Sequence, residues 1–315
     1  MAKLIERKIY IDEIKGFIDK EPIKVITGIR RSGKSEILKL AVNEVLKNTD
    51  QEHIIFINFE DYDYSDLFNP KNLHDYITSK IKDDKKHYIF LDEIQKVDGW
   101  EKVVSSLKLR NTDIYITGSN AQLLSGELAT LIAGRYVTFN INTLSYKEFL
   151  YFRKENNMTS NDELDEFIKT GGFPLLSTRN FSPDETRKII SDIQSSVVLR
   201  DVVERNKVKN VPLLQRIIAF IYDNVGNLVS LTKIKNTLKS GGSGADFETI
   251  SNYIGYLENA CIIKKTSRCE IKGKKLLESI DKYYLADHSL LYIIRGIKKT
   301  NMPGILENIV NNELI

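Results

Sequence analysis

The residues best suited to chemistry lie close to the amino terminus, in the stretch TGIRRSGKS. From Gly28 to Ser35 it reads G-x-x-x-x-G-K-S. Gly28 and Gly33 permit backbone conformations and close approaches that a side chain would block. The amides of such a loop, with the first turn of a following helix, make a cradle for phosphate oxygens. Within it Ile29, Arg30, Arg31, Ser32 and Glu36 would border the phosphates, Lys34 would reach the β/γ-phosphates, and the Ser35 hydroxyl would sit on Mg²⁺. Arg30 and Arg31 are open to two readings, phosphate contact or plain solvation. A second constellation, Asp92-Glu93, closes the run HYIFLDE. An acidic pair ending an apolar strand suits phosphoryl transfer, with Asp92 in the Mg²⁺ shell and Glu93 orienting and activating the attacking water.

The elements around these residues must position them. Ile23, Val25 and Ile26 predict a short buried strand before the loop, and Ile37, Leu38, Ala41, Val42 and Leu46 fall at helical spacing after it. Further apolar strands are expected over His53–Asp61, Tyr88–Leu91, Asp113–Asn120 and Arg135–Ile141, separated by helical segments. That alternation predicts an α/β P-loop NTPase fold, a parallel sheet with helices on both faces. Ligands in such sheets bind at the carboxyl ends of the strands. Asn58, Asp92, Glu93, Ser119 and Asn120 all lie at such ends and are expected to meet the phosphate loop along one edge.

Composition sets outer limits. The 315 residues are 42% hydrophobic and 28% charged, with 6 Pro and 17 Gly, so two globular domains are affordable and no long linker is present. No apolar run approaches the length of a membrane span, and the charged first residues lack a secretion signal. These features point to a soluble, cytoplasmic protein with no membrane partner. The spacing of the two Cys and four His singles out no metal-ligand set.

In order, TGIRRSGKS, FINFED, YIFLDEIQKVDGWEKVVSSL, ITGSNAQLLSGELATLIAGR and TLSYKEFL resemble the bacterial and archaeal AAA-type ATPases that join an ATPase core to a winged helix. The resemblance continues through GGFP (Gly171–Pro174), SSVVLRDVVER and KYYLADHSLL. It implies ATP rather than GTP as ligand. It also implies a sensor role for Asn120 or Ser119, and an idle-state contact to the catalytic Glu from Asn58. Arg135 is similar to an arginine finger, which would act in its own site or in a neighbouring subunit of a homo-oligomer. Its other reading is a surface ion pair. GGFP is a tight turn by composition and lies near the nucleotide by resemblance.

The chain divides in expectation into an ATPase core (1–150), a helical connector (151–205), a winged helix-turn-helix (206–296) and the start of a further domain (297–315). Charge supports the division: residues 206–300 carry 16 Lys/Arg against 8 Asp/Glu in a chain of net charge +3. Ser230 and Asp246 are expected to cap two helices, and a hairpin should follow. Its wing would hold Lys264, Lys265, Arg268, Lys272, Lys274 and Lys275, a pattern suited to the phosphate backbone of double-stranded DNA. The other reading is a slow nucleotide-gated switch whose winged helix binds a protein. Glu307-Asn308 and Glu313-Leu314 resemble the opening of the family's nuclease-like domain, which suggests a truncated end.

Overall fold

The computed structural model describes residues 4–119, 134–242, 244–267, 280–295 and 302–314. The chain falls into two compact units, one of residues 1–28 and 33–141, the other of 29–32 and 142–315. The boundary at Ile141 comes before the position 150 expected from sequence, and the apex of the phosphate loop counts with the second unit.

The first unit is built on five parallel strands, β1 (Ile23–Thr27), β2 (Ile54–Asn58), β3 (His87–Asp92), β4 (Thr112–Thr117) and β5 (Tyr136–Asn140), in the order β2-β3-β4-β1-β5. Their helices are α1 (Lys8–Lys15), α2 (Lys34–Val45), α3 (Pro70–Lys80) and α4 (Trp100–Leu107). The two-residue period of a strand divides the apolar side chains between two faces. Ile23, Val25, Ile55, Ile57, Ile89, Leu91, Ile114 and Ile116 pack with Leu73 and Ile77 of α3 and Trp100, Val103 and Val104 of α4. Ile26, Phe90, Tyr115 and Phe139 pack with Ile11 and Ile14 of α1 and with Ile37, Leu38 and Ala41 of α2. With helices on both faces the strands must be apolar throughout, which explains their unbroken apolar runs. The trailing Trp of LDEIQKVDGW is therefore a core residue, 4% exposed.

A buried ion pair lies within this sheet. Lys24 of β1 is fully buried and paired with Asp113 of β4. Asp113 also accepts hydrogen bonds from the Tyr115 hydroxyl (2.9 Å) and the Asp19 amide (2.9 Å). Burial pushes the Lys24 ammonium below its ordinary pKa, and Asp113 opposes that shift.

The second unit begins with α5 (Tyr146–Glu155) and α6 (Glu163–Thr170), followed by α7 (Pro183–Ser196). Capping boxes at Ser145/Glu148 and Ser182/Glu185 start α5 and α7. Sequence predicts one continuous helix through Arg205, whereas Val197–Glu204 is π-helical. The wider turn is the departure, and Asp201 within it is buried. After α8 (Val211–Asp223) come β6 (Leu228–Val229), α9 (Leu231–Ser240), α10 (Phe247–Asn259), β7 (Ile263–Ser267) and β8 (Asp281–Leu285). The three strands form an antiparallel sheet in the order β6-β8-β7. Ser230 and Asp246 cap α9 and α10 as expected, accepting from the Lys233 (3.2 Å) and Thr249 (2.6 Å) amides.

GGFP packs inside this unit. The Gly172 amide donates to Asp287 Oδ2 (2.8 Å), and a Cβ at Gly172 would come within 2.3 Å of the Leu144 carbonyl oxygen. Gly171 has φ +78°, a conformation costly for any side-chain-bearing residue. The last helix, α11 (Met302–Leu314), is tied to β8: Asn308 accepts from the Leu285 amide (2.6 Å) and donates to its carbonyl (3.1 Å). Glu307 accepts from Lys282 (2.7 Å) and the Tyr284 hydroxyl (2.8 Å). Glu307-Asn308, read from sequence as the start of another domain, is thus part of the packing of this one.

Candidate nucleotide site

The loop from Gly28 to Gly33 has the backbone that a phosphate cradle needs. Gly28 takes φ +146° and Gly33 φ +96°, and Arg31 between them takes φ +65°. Gly33 precedes the first residue of α2, so the loop delivers its amides directly onto a helix N-terminus. Lys34 is buried at 4% exposure, with Nζ donating to the Gly28 carbonyl (3.1 Å). A buried ammonium folded back across its own loop is a positive charge held where a phosphate would replace the carbonyl as acceptor. Ser35 follows it in the first turn and is half-buried, while Glu36 is exposed.

The acidic pair lies at the carboxyl end of β3, where Asn58 of β2 stands opposite Asp92. A residue that sequence reasoning did not single out organises it. The Thr117 hydroxyl, at the end of β4, donates to Asp92 Oδ1 (2.5 Å) and accepts from the Glu93 amide (2.9 Å). One hydroxyl thus fixes the carboxylate expected on Mg²⁺ and the backbone of the residue expected to activate water. Its signal is a polar residue closing the apolar run DIYIT. Glu93 sits in the left-handed region at φ +56°, a conformation that costs a non-glycine residue about 1–3 kcal/mol and is typical of functional positions. Its carboxylate accepts from the Gln95 amide nitrogen. Asn58 does not perform the expected restraint here. Its Oδ1 instead accepts from the Glu60 amide (2.9 Å), closing a local turn. Ser119 is fully buried just beyond β4. Asn120 lies outside the described residues.

The two arginines of the loop behave differently. Arg30 forks onto Asp201 of the π-helical turn within the second unit, Nε to Oδ2 and Nη2 to Oδ1, both 3.1 Å. Its side chain is therefore committed to a carboxylate rather than poised for phosphate, and only its backbone remains for the cradle. Arg31 is exposed, and so is Ile29's opposite in character, since Ile29 is buried. Arg135 stands away from the phosphate loop of its own chain. It immediately precedes β5, and its carbonyl accepts from the Ile23 amide (2.8 Å) at the start of β1. Thr27, at the phosphate-loop end of β1, pairs with Asn140 at the other end of β5. A five-residue strand, about 16 Å, separates the two ends.

The loop, the strand end and the sheet around them agree with the comparisons. Residues 20–150 match the AAA domain family, and residues 161–301 match a family described as a domain of unknown function. An uncharacterized protein of Haemophilus influenzae is 41% identical over 318 residues, covering 99% of this chain and 79% of the relative. The chain belongs to the AAA-domain family. A second relative, an uncharacterized protein of Methanocaldococcus jannaschii, is 35% identical over 326 residues, covering 99% of this chain and 70% of that one. Among solved structures, the Walker-type ATPase paby2304 of Pyrococcus abyssi superposes with a TM-score of 0.62 at 15% identity, over 92% of this chain and 95% of that chain. At that identity the likeness shows the fold: this AAA protein has the parallel-sheet architecture of a P-loop ATPase.

Two of the six expected DNA-contacting cations, Lys264 and Lys265, lie among the described residues. Lys264 donates to Asn142 Oδ1 (2.9 Å), and burial lowers its pKa. Lys265 pairs with Asp281 (3.0 Å). Lys264 is half-buried and held by the protein itself, whereas Lys265 remains exposed. Arg268, Lys272, Lys274 and Lys275 lie outside the described residues. Among the described residues, no helix of this AAA protein is long and apolar enough to cross a membrane.

Proposed function

We propose that this AAA protein is a Mg²⁺-dependent ATPase whose nucleotide state controls a winged-helix module in its second unit. The observation that carries the reading is the Thr117 hydroxyl clamping Asp92 and the Glu93 amide beside a glycine-shaped loop with a buried lysine. Gly28–Ser35 would hold the phosphates of ATP, with Ser35 and Asp92 supplying two hard oxygen ligands of the kind Mg²⁺ accepts. When bound, Mg²⁺ would neutralise charge on the β- and γ-phosphate oxygens. Lys34 would add a fixed positive charge in the same place. Glu93 would take the proton of the water attacking the γ-phosphorus as the bond to the β-γ bridging oxygen breaks. Ser119 and Asn120 would serve as sensors of the γ-phosphate.

The order α8-β6-α9-α10-β7-β8 with a three-stranded antiparallel sheet supports the winged-helix reading. The internal hydrogen bond of half-buried Lys264 favours a protein partner for that module over double-stranded DNA. A DNA role would rest on Arg268, Lys272, Lys274 and Lys275. The exposed position of Arg135, at the far end of β5 from its own loop, supports action in a neighbouring subunit of a homo-oligomer.

The deciding experiment follows ATP hydrolysis by the purified protein with Mg²⁺, with and without duplex DNA over a salt series, beside Glu93→Gln. Hydrolysis in the wild type that is lost in Glu93→Gln supports the enzyme. Salt-sensitive stimulation by DNA would restore the DNA reading. Equal inactivity of the two proteins with ATP still bound would leave only a nucleotide-gated switch. Mixing Arg135→Ala with Glu93→Gln tests the oligomer, since recovered turnover requires an arginine supplied between chains.

A further inference from the structure

We propose that His53, Asp83 and His87 form a binding site for one divalent transition-metal ion of the zinc type, at the amino-terminal edge of the five-stranded sheet. It lies in the first unit, at the opposite strand ends from the phosphate loop. Asp83 and His87 are four residues apart, and parallel pairing, not proximity in the chain, brings His53 to them. His53 is the residue before β2 and His87 is the first of β3, and these strands are neighbours with Ile54 opposite Tyr88. The two rings therefore lie side by side, with centroids 5.1 Å apart at 65°. Both are almost completely buried, at 3% and 2% exposure. Asp83, in the segment between α3 and β3, brings its carboxylate to them from the solvent side.

The donor atoms are close to what such an ion requires. His53 Nε2 is 3.1 Å from Asp83 Oδ2, His87 Nε2 is 3.9 Å from Asp83 Oδ1, and the donor atoms of the three residues all lie within 4.8 Å of one another. Four-coordinate zinc, with bonds of 2.0–2.2 Å to nitrogen and oxygen, holds its donors roughly 3.3 Å apart. Small rotations, chiefly of the exposed Asp83, would bring the set to that separation.

The hydrogen bonding of His87 points the same way. Its Nδ1 is 3.0 Å from the Lys85 carbonyl oxygen, which can only accept, so the ring hydrogen belongs on Nδ1. In the neutral ring the lone pair is then on Nε2, the nitrogen facing Asp83. A lone pair and a carboxylate oxygen confront each other at a distance too long for a hydrogen bond and suited to a cation between them. A carbonyl oxygen fixing the tautomer of an imidazole ligand from behind is the usual outer support of a metal-bound histidine.

A cleft of about 420 Å³ is lined by all three residues and offers an entry path and room for water as the fourth ligand. Lys80 and Lys82 also line it. Their charges oppose the ion, but at an open rim they are screened by solvent and salt. Two imidazoles select zinc, cobalt, nickel or copper over Mg²⁺, which demands oxygen ligands, so this site would not compete for the ion at the nucleotide. The bound ion would staple the 82–86 segment to the starts of β2 and β3.

The test uses the full chain without an affinity tag, stripped by chelator and dialysed. Zn²⁺ is titrated by calorimetry, and Co²⁺ is followed by the visible bands of its low-coordinate complexes. The expected result is one ion per chain, a thermal transition that rises with metal, and at least a tenfold loss of affinity in Asp83→Ala. Because Asp83 is exposed, that variant will keep its fold, which circular dichroism checks. His87→Gln should lose the Co²⁺ bands as well. Asp83→Ala should also keep wild-type ATP hydrolysis with Mg²⁺. No stoichiometric binding in the wild type overturns the proposal. So does binding that Asp83→Ala leaves unchanged, which would place the metal elsewhere on the chain.

Discussion

The two ends of one parallel sheet were assembled by different rules. At the carboxyl end the functional groups come from loops that leave the strands, and each loop carries its residues in a fixed local spacing: Gly28–Ser35 after β1, Asp92-Glu93 closing β3. At the amino end the notable groups sit where strands begin, and they come together only through the strand order. Lys24 meets Asp113 across β1 and β4, and His53 meets His87 across β2 and β3. The first end is written in the chain as motifs. The second is written as topology, so a one-dimensional reading passes over it.

The comparison can be broken first at the carboxyl end. Glu93→Gln is expected to lower ATP turnover by about 10²–10⁴-fold with nucleotide binding retained, read by turnover beside a fluorescent-nucleotide titration. At the amino end, Asp113→Ala should leave the Lys24 ammonium buried without its partner. The expected cost is about 3–5 kcal/mol in chemical denaturation, with no change in turnover per folded molecule. A loss of turnover beyond the folded fraction would show that the two ends are not separable. Thr117→Val sharpens the contrast, because it is nearly the same shape but leaves a buried carboxylate and an amide without the hydroxyl. About 1–3 kcal/mol of stability should be lost along with turnover, while Thr117→Ser, which keeps the hydroxyl, should retain most of both. The smallest effect is expected from Asp83→Ala in metal-free buffer, within about 0.5 kcal/mol, since exposed substitutions rarely do more.

Sequence made the fold largely legible because the strands are buried on both faces. Ile23–Thr27 and His87–Asp92 read as apolar runs with no solvent face to blur them. The helix caps at Ser230 and Asp246 were equally visible, since a capping side chain acts within three residues of itself. Thr117 was harder to see, because its partners are 25 and 24 residues away and its one local mark is that it closes the run DIYIT. The reading of Arg135 stayed open between its own site and a neighbour's for a related reason: the AGR pattern says what precedes β5, while only the strand direction says at which end of the sheet it stands. Lys264 was counted as surface charge by composition, which cannot register that Asn142 lies against it.

Strand β1 lies between β4 and β5, joined to Tyr115 from Lys24 on one side and to Tyr136 from Ile23 on the other. On a ribosome, the segment that opens the phosphate loop therefore emerges before either of the strands that flank it. It must wait in an open chain, apolar and unpaired, until residues beyond Asn140 are outside the exit tunnel, and closing such distant pairs is slow. Capture of ATP by nascent chains of graded length would then switch on abruptly rather than gradually, making the nucleotide a clock for the completion of the sheet.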